Sequence, residues 1–247
     1  IVAVAAIAVA CKPGSTVSAV IDNNGDCVFQ NNVVCFRLNG AGNAVITDGM
    51  EAILKAGKGS KTVVEDRRSA RAASMNDGGS ALLVGDSLYF PHENFDRFEL
   101  VELTKSHVIF KLHYPVWLAG EDSVELTRTV TLRENSYYCE VTDVYDSAPD
   151  IQPDITVATG FARNNVLRIE RGKDYIIAWE SLQGAEGNIG TGVLMPMTTD
   201  FVEDGPQDHS VALYKTKMRR PADYAVGYCW SEGELSDFDA WAAQVRF

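Results

Sequence analysis

Short apolar runs, most of them alternating with polar positions, follow one another along nearly the whole chain. "VVCFRL", "ALLV", "RFELVEL", "SHVIFKLHY", "SVELTRTVTL", "SYYCEVTDVY", "DITVATG", "DYIIAWES", "GTGVLMP", "SVALYK" and "DYAVGYCW" are rich in β-branched and aromatic residues, and Gly, Asn, Asp or Pro clusters separate them. Many strands at near-regular spacing with few helices between them predict an all-β chain, a large antiparallel β-sandwich. The tail changes rhythm. Phe238, Trp241, Ala242 and Val245 recur at helical spacing behind Ser236, which pairs with Asp239 as an N-terminal cap, so a short C-terminal helix docks on the sandwich. "TDGMEAILKAGKGS" reads either as a short helix or as a strand with a turn. No repeat or low-complexity linker divides residues 15–247, which read as one domain.

Alternation also assigns faces. Val108, Phe110, Leu112 and Tyr114 form a core row, and His107, Ile109, Lys111 and His113 the opposite one, which is either solvated or a ligand face. Arg128 shares the apolar face of Val124, Leu126, Val130 and Leu132. A guanidinium there must find a partner, and a structural ion pair is the simpler reading. Tyr224, Val226, Tyr228 and Trp230 make an aromatic row on the last strand, as Tyr175, Ile177 and Trp179 do on an earlier one. Such rows are usually core. Trp230, and with it Tyr228, is placed where the sheet ends and a sugar could stack.

Charge and cysteines narrow the classes. A net charge of −12 with no basic stripe argues against a nucleic-acid partner. The opening "IVAVAAIAVAC" is too short to span a bilayer and has the make-up of an export-signal core. It resembles a lipoprotein signal in which Cys11 is lipidated, so residues 1–11 read as a signal or anchor remnant. The expected location is periplasmic or on the outer surface, with the membrane touched only through that anchor. No C-x-x-C pair occurs, and the acidic turns lack the spacing of a calcium loop, so neither metal nor other cofactor is expected. A two-residue Asn31-Asn32 turn would pair Cys27 with Phe36, whereas a three-residue loop would set it opposite Cys35. A disulfide there depends on loop length. Cys139 and Cys229 read as small buried hydrophobes.

"YAVGYCWSEGELSDFDAW" resembles the closing motif of domain-of-unknown-function family 4861: Tyr, Gly and Trp in a last strand, a polar turn, and a Trp-bearing helix. "NDGGSALLVGDSL", "VELTRTVTLRENSYYCEVTDVY" and "AWESLQGAEGNIGTGVLMP" are similar to that family's successive hairpins, so the resemblance covers roughly residues 60–247. The family resembles the galactose-mutarotase-like superfamily, whose β-supersandwich binds carbohydrate on a concave sheet. The resemblance implies an exported protein acting on uronate-containing oligosaccharides, by β-elimination or dehydration, or else a non-catalytic glycan-binding lipoprotein. Elimination beside a carboxylate needs a base, an acid for the leaving oxygen, and a cation or hydrogen-bond cluster on the carboxylate. The catalytic candidates are His92 in "YFPHENF", His209 before "SVALYK", and Tyr228. Arg68 and Arg71 in "EDRRSAR", with Asn76, Asn94, Trp179 and Trp230, are the candidates for binding sugar.

Overall fold

In a computed structural model of the protein, residues 16–47, 49–58, 61–66, 72–147, 152–183 and 186–245 are described, and for residues 56–58 and 61–66 the backbone alone. The strands are β1 (Ser18–Ile21), β2 (Cys27–Gln30), β3 (Cys35–Leu38), β4 (Glu51–Lys58), β5 (Lys61–Asp66), β6 (Gly79–Val84), β7 (Ser87–Tyr89), β8 (Arg97–Leu103) and β9 (His107–Ala119). They continue as β10 (Asp122–Arg133), β11 (Tyr138–Asp146), β12 (Asp154–Ala162), β13 (Val166–Arg171), β14 (Tyr175–Ser181), β15 (Asn188–Leu194), β16 (Asp200–Val202), β17 (His209–Lys217) and β18 (Ala222–Trp230). A 3₁₀ turn (Pro206–Asp208) precedes β17, and helix α1 (Phe238–Ala243) follows β18.

An antiparallel eight-stranded sheet, ordered β13-β14-β15-β18-β11-β10-β9-β8, forms one layer. Two five-stranded sheets, β1 to β5 in order and β16-β17-β12-β6-β7, lie against its inner face. The two smaller sheets are tied together where Met50 N–H donates to the Gly78 carbonyl at 2.7 Å and Asp77 N–H to the Met50 carbonyl at 3.0 Å. One apolar cluster runs through all three sheets, with Phe29 edge-on to Phe110 and Phe36 edge-on to Tyr228, each pair 5.1 Å between ring centres. The chain is thus the all-β sandwich that its alternation predicts, and the stretch left between helix and strand forms β4.

Burial follows the expected faces. Val108, Phe110, Leu112 and Tyr114 are buried inward, and His107, Ile109, Lys111 and His113 are half-buried on the outer face. Arg128 is fully buried on Asp143. The whole row Tyr224, Val226, Tyr228 and Trp230 is core.

Local details depart from the sequence reading at three places. The β2–β3 connection has four residues, because the Asn31 side chain accepts the Val33 and Val34 N–H groups, both at 2.8 Å, and rounds the turn itself. Cys27 therefore faces Leu38, Cys35 faces Gln30, and neither is in a disulfide. The cap of α1 is Asp237, which accepts from Ala240 N–H at 2.9 Å, one residue after the expected Ser236. Pro115, which closes the apolar run "SHVIFKLHY", does not end the strand. β9 runs through it by a bulge, in which Tyr114 pairs with Leu126 and Trp117 with Val124, so that Pro115 and Val116 oppose Glu125 alone. Proline is tolerated at such a bulge because no ladder hydrogen bond needs its nitrogen.

Helix α1 covers the outer face of the large sheet at its β14, β15 and β18 end. Trp241 is fully buried there, stacked on Tyr138 at 5.1 Å and 9°, with its indole N–H on the Thr191 carbonyl. A Cβ on Gly190 would sit 2.8 Å from the Trp241 ring, so the seat for the indole requires glycine. Among the described residues no helix covers the outer face of β8, β9 and β10.

Candidate functional site

Three of the sequence candidates meet in a buried chain of hydrogen bonds. His209 accepts the Met75 N–H on Nε2 at 3.2 Å, which leaves its proton on Nδ1, 3.3 Å from the Pro206 carbonyl. The Ser74 hydroxyl lies 3.3 Å from the same Nε2 and accepts the Asn76 N–H. Asn76 donates from Nδ2 to the Thr47 hydroxyl at 2.7 Å, and Thr47 N–H donates to Asn94 Oδ1 at 3.0 Å. Asn94 in turn donates to the carbonyls of Gly40, Asn43 and Val45. All five residues are buried. Their work is to satisfy loop backbone that would otherwise be buried unpaired. His209 is fully buried with both ring nitrogens engaged, so it is a structural clip rather than an acid or base. Asn94 is a clip for the same reason. Asn76 keeps one buried atom, Oδ1, without a hydrogen-bond partner among the described residues.

The other candidates lie apart from this chain. Tyr228 accepts the Cys35 N–H at 2.8 Å and lies 2.7 Å from the Ile53 carbonyl, to which its hydroxyl donates. Burial pushes its phenol well above the usual tyrosine range. It is a cross-sheet strut and has no hydroxyl to offer a substrate. Trp179 is packed with Phe238, Trp241 and Val245 on the helix-covered face, so it forms no open platform. Trp230 is nearly buried and donates to the Glu186 carbonyl, yet it lines a hollow of about 50 Å³ with Lys55, Tyr137 and Glu234, at the sheet end where the sequence places it. That space holds a small group rather than a sugar ring. His92 is exposed in the loop before β8 and makes no hydrogen bond among the described residues. Arg68 and Arg71 lie outside the described residues.

A larger opening forms where the β9 bulge interrupts the outer face. Asp96, Arg97, His113, Tyr114, Pro115, Val116, Glu125, Leu126 and Thr127 line an open groove of about 700 Å³. The register of the sheet assembles it. Arg97 on β8 pairs with His113 on β9, and His113 pairs with Thr127 on β10, so the three outward side chains form one row across three strands. His113 Nδ1 and Thr127 Oγ1 are 3.2 Å apart, and Nε2 is 3.9 Å from Glu99 Oε2. The Thr127 hydroxyl fixes the ring plane through Nδ1, and the Glu99 carboxylate faces Nε2.

Electrostatics in the groove favour a neutral imidazole. Partial burial, then the neighbouring Arg97 guanidinium, hold His113 below its ordinary value of 6.5, against the opposing pull of Glu99. Arg97 is exposed and makes no ion pair among the described residues. A neutral imidazole beside an unpaired guanidinium can take a proton from a carbon whose carboxylate rests on the arginine. Sequence reasoning placed His113 on the polar face but missed its partnership with Arg97. The outward row was a visible signal, and the pairing across β8 and β9 was not. No cluster of His, Cys, Asp and Glu suited to a metal ion occurs among the described residues.

A family model described as "Domain of unknown function (DUF4861)" matches residues 73–246. No curated protein matches the chain. Among solved structures the fold is similar to a putative kojibiose phosphorylase from human microbiome, at 10% identity and a TM-score of 0.43. That likeness covers 68% of this chain and 23% of the other, so the chain spans about a quarter of that protein's length.

Proposed function

The chain belongs to the DUF4861 family, and from that premise we propose that it is a carbohydrate-active protein whose groove takes a uronate-containing oligosaccharide and cleaves it by β-elimination. The observation that carries the reading is the Arg97, His113, Thr127 row: an exposed guanidinium, an imidazole and a hydroxyl side by side on adjacent strands.

The steps balance on this chain's own groups. Arg97 holds the sugar carboxylate and stabilises the enolate that forms from it. Neutral His113 removes the proton on the carbon next to that carboxylate, and the electron pair moves into the enolate. Collapse of the enolate forms the ring double bond and expels the glycosidic oxygen. The imidazolium, facing Glu99, then returns its proton to the leaving oxygen. Exposed Glu99 must turn aside for Nε2 to reach the substrate. Export as a lipoprotein through Cys11 belongs to the same proposal and rests on the apolar "IVAVAAIAVA" alone.

One observation favours a second reading, a non-catalytic glycan-binding surface protein: Nε2 of His113 is closed to solvent and has no hydrogen-bond partner among the described residues. A single experiment separates the two. Uronate oligosaccharides are incubated with wild type, Arg97→Ala and His113→Ala, while the ultraviolet absorbance of the new double bond is followed and binding is measured by calorimetry. Elimination predicts a wild-type signal that falls about 100-fold or more in His113→Ala. Binding that depends on Arg97, without any absorbance change, establishes the second reading. Neither signal removes both.

A further inference from the structure

Beyond the bulge, the faces of β9 exchange. Up to Tyr114 the even-numbered residues point into the core. After the extra residue it is Trp117 and Ala119 that are buried, and Val116 and Leu118 that face outward, 64% and 51% exposed. In an unbulged strand both would have been core residues. Val116 lines the same groove as Arg97 and His113. The strip extends past the hairpin turn, because a Cβ on Gly120 would lie 3.4 Å from Val84, which is itself 44% exposed.

Singly exposed apolar side chains are ordinary on a protein surface. These differ in being contiguous, in continuing the groove, and in owing their outward direction to the bulge that opens it. The groove is therefore two-toned: Arg97, His113 and Thr127 at one end, Pro115 and Val116 with Leu118 beyond at the other. Val116 is three residues from His113 along the strand, a reach of about 10 Å. That is far enough for the neighbouring sugar of a glycosidic pair to lie over it.

We propose that the groove selects a uronate whose neighbouring sugar carries a methyl-ended substituent, either a 6-deoxy carbon or an O-acyl group, seated on Val116 and Leu118. A hydroxymethyl group in that place would lay its hydroxyl against valine and leucine and lose a water partner without replacement. The inference rests on the reading of the groove as a uronate site and adds the neighbour's chemistry.

Calorimetry tests it with three oligosaccharides that share one uronate and differ in the neighbour: a 6-deoxyhexose, the hexose bearing the C6 hydroxyl, and that hexose O-acetylated. The proteins are wild type, Val116→Thr, Leu118→Asn and Arg97→Ala, each first shown to melt as wild type does. Wild type is expected to bind at least one methyl-bearing probe about fourfold or more tighter than the plain hexose, the factor for one buried methyl. Which probe gains tells 6-deoxy from acyl. Val116→Thr should level the three affinities. Equal wild-type affinities, or a preference that survives both apolar replacements, overturn the inference and leave the uronate site standing. If binding is indifferent to Arg97→Ala, or wild type binds none of the probes, the uronate reading falls and this inference falls with it.

Discussion

Arg128 and Asp143 face each other on β10 and β11, joined by Nε to Oδ1 at 2.9 Å and Nη2 to Oδ2 at 2.8 Å, with neither side chain exposed to any degree. The pair binds the two layers together. Ser80, from the opposing sheet, and Tyr224 both donate to the same carboxylate, and the guanidinium lies 5.6 Å from the Tyr114 ring centre. Removing one ion leaves the other buried and unmatched. Arg128→Met and Asp143→Leu should each cost about 3–5 kcal/mol in chemical denaturation, and the double replacement markedly less than their sum.

Tyr228→Phe tests whether the hydroxyl serves the fold. It deletes a group shared by the Cys35 N–H and the Ile53 carbonyl in a buried cross-sheet contact. The expected loss is about 1–3 kcal/mol in stability. Turnover or binding of oligosaccharide, measured well below the melting temperature, should stay unchanged. A collapse of activity in a folded variant would return Tyr228 to the site.

The titration of His113 has a definite sign. Its folded value lies below 6.5, so the unfolded chain takes up the proton first as the pH falls. Above 6.5 both states are neutral and the group adds no pH dependence. Through 6.5 and downward to the lowered value, stability declines. Imidazole resonances followed by NMR should place His113 below an ordinary histidine. Arg97→Ala should raise it by removing a like charge, and Glu99→Gln should lower it further.

The seat of α1 is tight. Gly190→Ala should push Trp241 outward, since a Cβ would lie 2.8 Å from the ring, and should expose the C-terminal helix to protease before the rest of the domain. Trp241→Ala should cost about 3–5 kcal/mol, the range for a fully buried large aromatic.

Much of this architecture was legible because alternation reports faces directly. The rows on β9 and β10, the inward Arg128 and the docking residues of α1 all stand where the pattern put them. What the pattern could not carry was register. Arg97 and His113 become neighbours only through the pairing of β8 with β9, which depends on a second bulge between Leu100 and Glu102. The run "SHVIFKLHY" ends at Tyr114, whereas β9 continues through Pro115 by a bulge. Polar residues were the harder case. His209, Asn94 and Tyr228 looked available for chemistry because sequence does not reveal a backbone partner, and in the fold their polar atoms are spent on carbonyls and N–H groups of distant loops and strands. The Asn31 turn belongs to the same class, a side chain replacing backbone hydrogen bonds.

Cys27, Cys35, Cys139 and Cys229 are all buried, and none of the four is in a disulfide. Burial pushes the Cys27 and Cys139 thiols up, Cys139 to about 12, so at neutral pH they stay protonated and unreactive. The cohesion of the sandwich around them is therefore indifferent to redox conditions. A protein made in a reducing cytoplasm and one matured in an oxidising compartment should reach the same fold, and a reductant such as dithiothreitol should leave its melting curve where it was.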